Sequence, residues 1–277
     1  MISGAVSTER RTHYGLTYGR VAVALGLVAL AVIAVGPIAY MAIESLRNVS
    51  GTAWTWANWA SLFRTLPILT GMKNSVILAG SSSILTVVVT SCAGFAFAKL
   101  PFRGSRVVLS LVIMSLALPL IADIVPEYLD WAQRGLVGSY LPPIIVYSAF
   151  NSAFAVIFFT NYFLSVPDSF IESAITDGAG YLLILRRVVI PMAMPAIVTI
   201  LVFDFMLVWN DLLVALLFLP RAGQQTASVL LATVSAGKLL RTQELLAGAL
   251  LSVVPNLVIF IGFQRYLMLG FSLGVDK

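Results

Sequence analysis

Long stretches without a single charged residue set the first limit on this chain. Val21 to Ile43, Asn74 to Ala98 and Leu245 to Gln264 hold no Asp, Glu, Lys or Arg, and each reaches the ~20 residues that a helix needs to cross the hydrocarbon core. Across all 277 residues, 60% are hydrophobic and 10% charged, against about 25% charged in a soluble domain. So few polar groups cannot cover a water-soluble globule of this size, whereas a bilayer removes the need. The alternation of a lipid-facing barrel strand is absent, so helices are the reading that satisfies every backbone group in lipid.

Three further spans complete the count. Val107 to Ala122 is uncharged and extends to about residue 125. Pro142 to Phe163 is bounded by Leu141-Pro142-Pro143 and Val166-Pro167-Asp168, a natural entry and exit. Pro195 to Leu219 is interrupted only by Asp204 and Asp211. The expectation is an all-α integral membrane protein forming one transmembrane domain, with six helices at about 21–43, 75–98, 107–125, 142–163, 195–219 and 245–265.

With a cytoplasmic amino terminus, ten Lys and Arg fall inside (Arg10, Arg11, Arg20, Lys99, Arg103, Arg106, Arg186, Arg187, Arg265, Lys277) and the other seven outside. The short Lys99–Arg106 loop is the most diagnostic piece. Both termini are therefore expected in the cytoplasm, with the first span an uncleaved signal anchor. The net charge of +5 is scattered, with no basic run, which argues against nucleic acid. One cysteine, Cys92, excludes a disulfide framework, and one histidine, His13, excludes a histidine-ligated zinc site. Cys92 lies among small residues and reads as a buried, inert thiol; His13 reads as solvated. Trp54, Trp56 and Trp59 follow the first span and read as headgroup-level anchors, in preference to a binding platform.

The most informative polar segment is VPDSFIESAITDGAGYLLILRRVVIPMAMP, residues 166–195. Ser169 followed by Glu172 has the spacing of a capping box, placing a helix just after Pro167 and over Phe170 to Asp177, with Gly178 stopping it. A second amphipathic piece, Tyr181 to Ile190, leads through Pro191 and Pro195 into the fifth span. Ala174, Gly178 and Ala179 leave a narrow small-residue surface beside two carboxylates, which suits docking into a cleft better than burial in lipid.

Glu172, Ala174, Asp177, Gly178 and Ala179, followed by Pro191 and Pro195, resemble the EAA loop of ABC importer permeases, with Ser173 in place of the first alanine of the pattern. GFAFAKLPFRGSR, LALPLIADIVPEYL, FMLVWNDLL and LAGALLSVVPNLVIFIGFQRYLMLGF extend the resemblance to MalG-type, sugar-importing permeases over most of the chain. The ending, GFSLGVDK, departs from the family pattern. The resemblance implies a type I importer permease fold in the cell membrane, with residues 168–191 as the coupling loop between spans four and five. It also implies four partners: an ATPase subunit dimer, a second homologous permease, an extracytoplasmic solute-binding protein and membrane lipid. No GxxxxGKS-like loop occurs, so this chain carries no cofactor of its own, and ATP and Mg are expected on the partner ATPase. In the family the loop helix seats in an ATPase groove, and closure of the ATPase pair rocks the bundle between inward-open and outward-open forms. Glu172 suits a charge contact to an ATPase arginine, and its place in the capping box accounts for it equally well.

Asp204 stands inside a span, where an ionisable side chain costs about 2.5–3.5 kcal/mol and faces a bundle interior or wet cavity. Asp211 is two turns on, on the same face. Trp209 and Asn210 lie beside them, and this set suits a sugar's apolar face and hydroxyl edge. The alternative is that Asp204 pairs with a polar group of the partner subunit while Trp209, Asn210 and Asp211 sit at the outer interface. Pro255 is expected to kink the last span. A secondary transporter would show an internal repeat and a membrane enzyme a cluster of catalytic side chains, and neither is found. The solute stays open among sugars and oligosaccharides, polyols and glycerol phosphate.

Overall fold

The computed structural model describes residues 9–100, 102–237 and 240–272, with side chains described from 20 to 268. Among the described residues the regular structure is helical, apart from one isolated bridge between Arg47 and Trp54. The chain divides into two units, residues 1–62 with 240–250 and residues 63–239 with 251–277.

In the first unit, α1 (Glu9–Ser45) is apolar all round from Val21 to Ile43, and no residue from Arg20 to Tyr40 is buried within this chain. A helix of that kind belongs in lipid or against another subunit. A tight turn follows, in which Asn48 Oδ1 accepts from the Thr52 and Ala53 amides. Asn58, at the start of α2 (Ala57–Thr65), donates to the Ser45 and Arg47 carbonyls. Trp54 and Trp56 stay exposed, as a headgroup anchor requires, while Trp59 is half-buried. The side chain of His13 lies outside the described residues.

The second unit is organised on α3 (Ile68–Lys99), α6 (Leu141–Leu164) and α10 (Met194–Asn210). The α3–α6 seam is made of small residues, because lipid gives helices no hydrophobic reason to associate and close backbone contact must do it. At Gly94 an added Cβ would stand 2.6 Å from the Phe159 Cβ and 3.0 Å from the Thr160 nitrogen. Ser83, Thr86 and Thr90 donate to carbonyls four residues back on α3, and Ser148 donates across the seam to the Ser82 carbonyl. Cys92 is exposed, contrary to the buried reading. The packed face of α3 carries Val87, Thr90, Ser91 and Gly94, and residue 92 falls outside it.

Two expected spans, 107–125 and 195–219, are not single straight helices. Ser105–Ser115 (α4) and Leu120–Gln133 (α5) meet at 97°. Pro119, extended at ψ 131°, ends the first piece, because proline supplies no amide and disfavours helix in the residue before it. Before α10, Tyr181–Met192 meets it at 81°; this stretch comprises α8 (Tyr181–Ile184), a π-helical turn (Leu185–Val189) and α9 (Ile190–Met192). At its far end α10 stops at Asn210, and α11 (Leu213–Phe218) begins after a break at Asp211 and Leu212, so the expected span 195–219 is divided. Among the described residues, four helices are long and apolar enough to cross a membrane, or up to six spans if each bent pair counts as one. α12 (Ala227–Ala236) docks on α3, with Ser75 Oγ accepting from the Ala227 amide and Asn74 donating to the Gly223 and Gln225 carbonyls. The last helix, α13 (Thr242–Ser272), runs through Pro255 without a break, and the divergent ending lies almost wholly beyond the described residues.

The seam gives a direct test. Gly94→Val should destabilise the detergent-solubilised protein by about 1–3 kcal/mol through overpacking, whereas Gly80→Val on the same helix, where nothing lies within 4 Å of an added Cβ, should leave the melting temperature close to that of the unsubstituted chain.

Candidate functional site

Two regions gather the residues singled out in the sequence. The first is α7 (Asp168–Thr176), carrying the EAA-like run. Pro167 ends the preceding segment in an extended conformation, and the helix begins at once at Asp168. The expected capping box is not formed. Ser169 is already inside the first turn, its carbonyl accepting from the Ser173 hydroxyl, and no side chain caps the amino end. The stop is as expected: Gly178 has φ +81°, its amide donates to the Ile175 carbonyl, and the Ala179 amide donates to the Ala174 carbonyl. This paired closure needs a left-handed residue, and glycine adopts it without steric cost.

The small residues of the loop do not all face outward. Ala174 and Ala179 pack against a buried cluster that includes Phe163, Ile171, Ile184 and Val189. Their small size lets α7 lie close to its own bundle, which corrects the expectation of a small-residue docking face. The outward face holds Glu172, Asp177 and Gly178, flanked by exposed Phe170 and Ile175. Lys99, at the carboxyl end of α3, fixes the loop from the other side. Its ammonium donates to the Val166 carbonyl at 2.7 Å and to Asp168 Oδ1 at 2.6 Å, with the Lys99 side chain only 6% exposed. Sequence reading had used Lys99 only as an orientation charge; the contact joins residues 69 apart and leaves no local pattern.

The second region lies midway along the bundle. One apolar cluster holds Leu78, Val146, Tyr147, Phe205 and Val208, the other Phe95, Phe159, Phe163, Ala196 and Ile200. Between them in all three helices comes a polar layer: Ser82, Ser83 and Thr86 on α3, Ser148 and Asn151 on α6, and Asp204 on α10. Asp204 is 2% exposed, and Asn151 Nδ2 donates to its Oδ1. Its Oδ2 is buried without a hydrogen-bond donor. The Thr86 and Ser83 hydroxyls stand beside the carboxylate, and each also lies within hydrogen-bond reach of a carbonyl four residues back on α3. Asp204 lines a cavity of about 280 Å³ with Phe150, Phe154, Phe203 and Ser115.

The two aspartates do address one face, as the seven-residue spacing predicts. Asp204 meets Asn151, and Asp211 meets Tyr147, one turn earlier on α6. Asp211, however, is bound up in structure. It accepts from the Tyr147 hydroxyl at 2.6 Å and from the Val214 amide at 2.9 Å, capping α11 across the break. Trp209 is buried, stacked on Phe205 at 5.7 Å, with its indole N–H donated to the Ser252 carbonyl. It is part of the core and offers no open ring to a sugar. Asn210 is exposed, donating to the Met206 carbonyl and accepting from Asn256. Only Asp204 of the four lines the cavity; its partner Asn151 and the phenylalanine walls were not singled out in the sequence.

Residues 87–268 match the family model described as the binding-protein-dependent transport system inner membrane component. The chain belongs to that family. It is 30% identical to the osmoprotective compounds uptake permease protein GgtD of Synechocystis, over 98% of this chain and 96% of that protein. It is 28% identical to the melibiose/raffinose/stachyose import permease protein MelC of Bacillus subtilis, over 74% of each. A bacterial ABC transporter involved in importing the acidic polysaccharide alginate contains a chain with the same fold, at 24% identity and a TM-score of 0.77, covering 95% of this chain and 99% of that one. The protein is thus an ABC importer permease of the type I fold: an inner membrane component that moves solute and leaves ATP hydrolysis to other subunits.

The reassignment of Asp211 can be checked by a double-mutant cycle. Tyr147→Phe and Asp211→Ala should each lower thermal stability by about 0.5–1.5 kcal/mol. The pair should lose clearly less than the sum, because both remove the same hydrogen bond. Full additivity would show that the Tyr147–Asp211 bond contributes nothing to holding α11.

Proposed function

We propose that this permease imports a carbohydrate, and that α7 is the element through which a separate ATPase drives it. The observation that carries this reading is the build of α7. A short helix with exposed Glu172 and Asp177 is held on one side by Ala174 and Ala179 and on the other by the Lys99–Asp168 ion pair. A helix so fastened transmits a push instead of absorbing it. The substrate class rests on relatives whose names speak of melibiose, raffinose, stachyose and osmoprotective compounds. In this reading two ATPase subunits hold ATP and Mg. A second homologous permease completes the pathway, an extracytoplasmic binding protein delivers the solute, and both chain termini lie on the cytoplasmic side with α7.

Glu172 and Asp177 supply negative charge to an ATPase groove, while Phe170 and Ile175 supply the apolar contact. Since the capping box is not formed, Glu172 is free of that task. A Cβ added at Gly178 would meet no atom within 4 Å, so its role is conformational: a leucine there must hold a left-handed backbone at a cost of about 1–2 kcal/mol.

The test is copurification and uptake in cells expressing the whole system. Unsubstituted permease should bring down the ATPase and the second permease. Gly178→Leu should insert at normal level yet lose uptake, with the ATPase released or hydrolysing ATP without response to the binding protein. Lys99→Met should keep the ATPase bound but weaken the response, since the docked helix has lost its tie to α3. Full transport by the Gly178→Leu protein with a normally bound ATPase would rule out α7 as the coupling element.

A further inference from the structure

The cavity beside Asp204 adjoins a second one. The second, of about 180 Å³, is lined by Asp123, Glu127, Pro119, Ile124, Val146 and Ala149, and it shares Ser115 and Phe150 with the first. The bend at Pro119 makes this possible, because it turns α5 across the bundle and brings Asp123 and Glu127, one helical turn apart, onto the α6 face. Three carboxyl groups therefore line one route past α6, and neither cavity has a Lys, Arg or His among its lining residues.

We propose that these adjoining cavities are the solute's path through this subunit, and that Asp123, Glu127 and Asp204 make it a path for neutral polyhydroxylated solutes, closed to anionic ones. The inference rests on the permease reading above and narrows its substrate. Asp204 Oδ2 has no partner in hydrogen-bond geometry among the described residues. Asn151 gives one amide N–H to Oδ1. A solute hydroxyl supplies the missing proton donor, and an anionic oxygen cannot. The walls agree: Phe154 and Phe203, their centroids 5.3 Å apart, present ring surface to the cavity, which suits the C–H face of a sugar ring or polyol chain. Glu127 accepts from the Trp131 indole through Oε2, and that hydrogen bond fixes its carboxylate in the second cavity. A phosphate or carboxylate on the solute would meet like charge in a low-dielectric passage with no cation to offset it. Glycerol phosphate, one of the solutes left open by the sequence, is thereby excluded.

The charge of the path can be read in the assembled transporter, using the full chain with its partner subunits in membrane vesicles. Ser115→Cys, on a Cys92→Ser background, places one thiol where the two cavities meet. Its rates with the cationic trimethylammonium-ethyl and the anionic sulfonatoethyl methanethiosulfonates are taken as a ratio and divided by the ratio for free 2-mercaptoethanol. The normalised ratio should favour the cation by about tenfold or more. Asp123→Asn with Glu127→Gln should bring it toward one. Raffinose or trehalose, with the binding protein present, should slow the labelling, and glycerol 3-phosphate should not. A normalised ratio near one, a thiol inert to both reagents, or protection by glycerol 3-phosphate would overturn the proposal. Copurification of the ATPase reports separately on the permease reading and is unaffected by any of these results.

Discussion

Everything in the second unit depends on how closely α3 and α6 approach. In a bilayer, helices gain little by burying apolar side chains against each other, because the lipid is as apolar as they are. Contact must come from backbone proximity, and Gly94 against Phe159 and the Ser83–Thr86–Thr90 stripe provide it. Those hydroxyls satisfy themselves on their own helix, so the seam carries polar atoms without demanding cross-helix partners. Two buried oxygens of the polar layer, Ser82 Oγ and Asp204 Oδ2, are left without a hydrogen-bond partner among the described residues.

The same seam joins α7 to the polar layer. The apolar cluster under α7 is built from Phe95 of α3, Phe159 and Phe163 of α6, Ile184 of α8, and Ala196 and Ile200 of α10. The polar layer follows directly, with Asp204 one helical turn beyond Ile200. A displacement of α7 therefore reaches Asp204 through packed side chains only, without any loop between. The Lys99 ammonium adds a second link, tying the end of α3 to the carbonyl and carboxylate that open α7. Close-packed interiors deform little and so move as blocks, which is what rigid-body alternating access requires.

The sequence made visible those features whose cause is local. Uncharged runs locate the long helices, a glycine after a short amphipathic stretch locates the stop of α7, and a carboxylate inside a span marks Asp204 as unusual. It concealed features whose cause lies across the fold. Ser169 and Glu172 have capping spacing, but the neighbouring Pro167 and the Lys99–Asp168 pair decide where the helix starts. Trp209 and Asp211 look like a sugar platform in one dimension; three-dimensional partners at Ser252, Tyr147 and Val214 use them up. Pro119 was in plain view within an apolar run, yet composition gives no angle, and its 97° turn is what brings Asp123 and Glu127 to the path.

The breaks in the helices are consistent with this economy. An irregular backbone inside a membrane is tolerated where it is covered by protein or lines a cavity. The bend at Pro119 lines one, and the gap at Asp211 and Leu212 is closed by the Asp211 carboxylate accepting the Val214 amide. The π-helical turn at Leu185–Val189 lies on the cluster beneath α7, with Leu185 and Val189 buried. Each interruption thus lines a cavity, is closed by a side-chain hydrogen bond, or is packed on a buried cluster. The featureless α1 is exposed within this chain from Arg20 to Tyr40. Irregularity in this protein marks where work is done, because in lipid a broken helix persists only where other parts of the protein supply its missing partners.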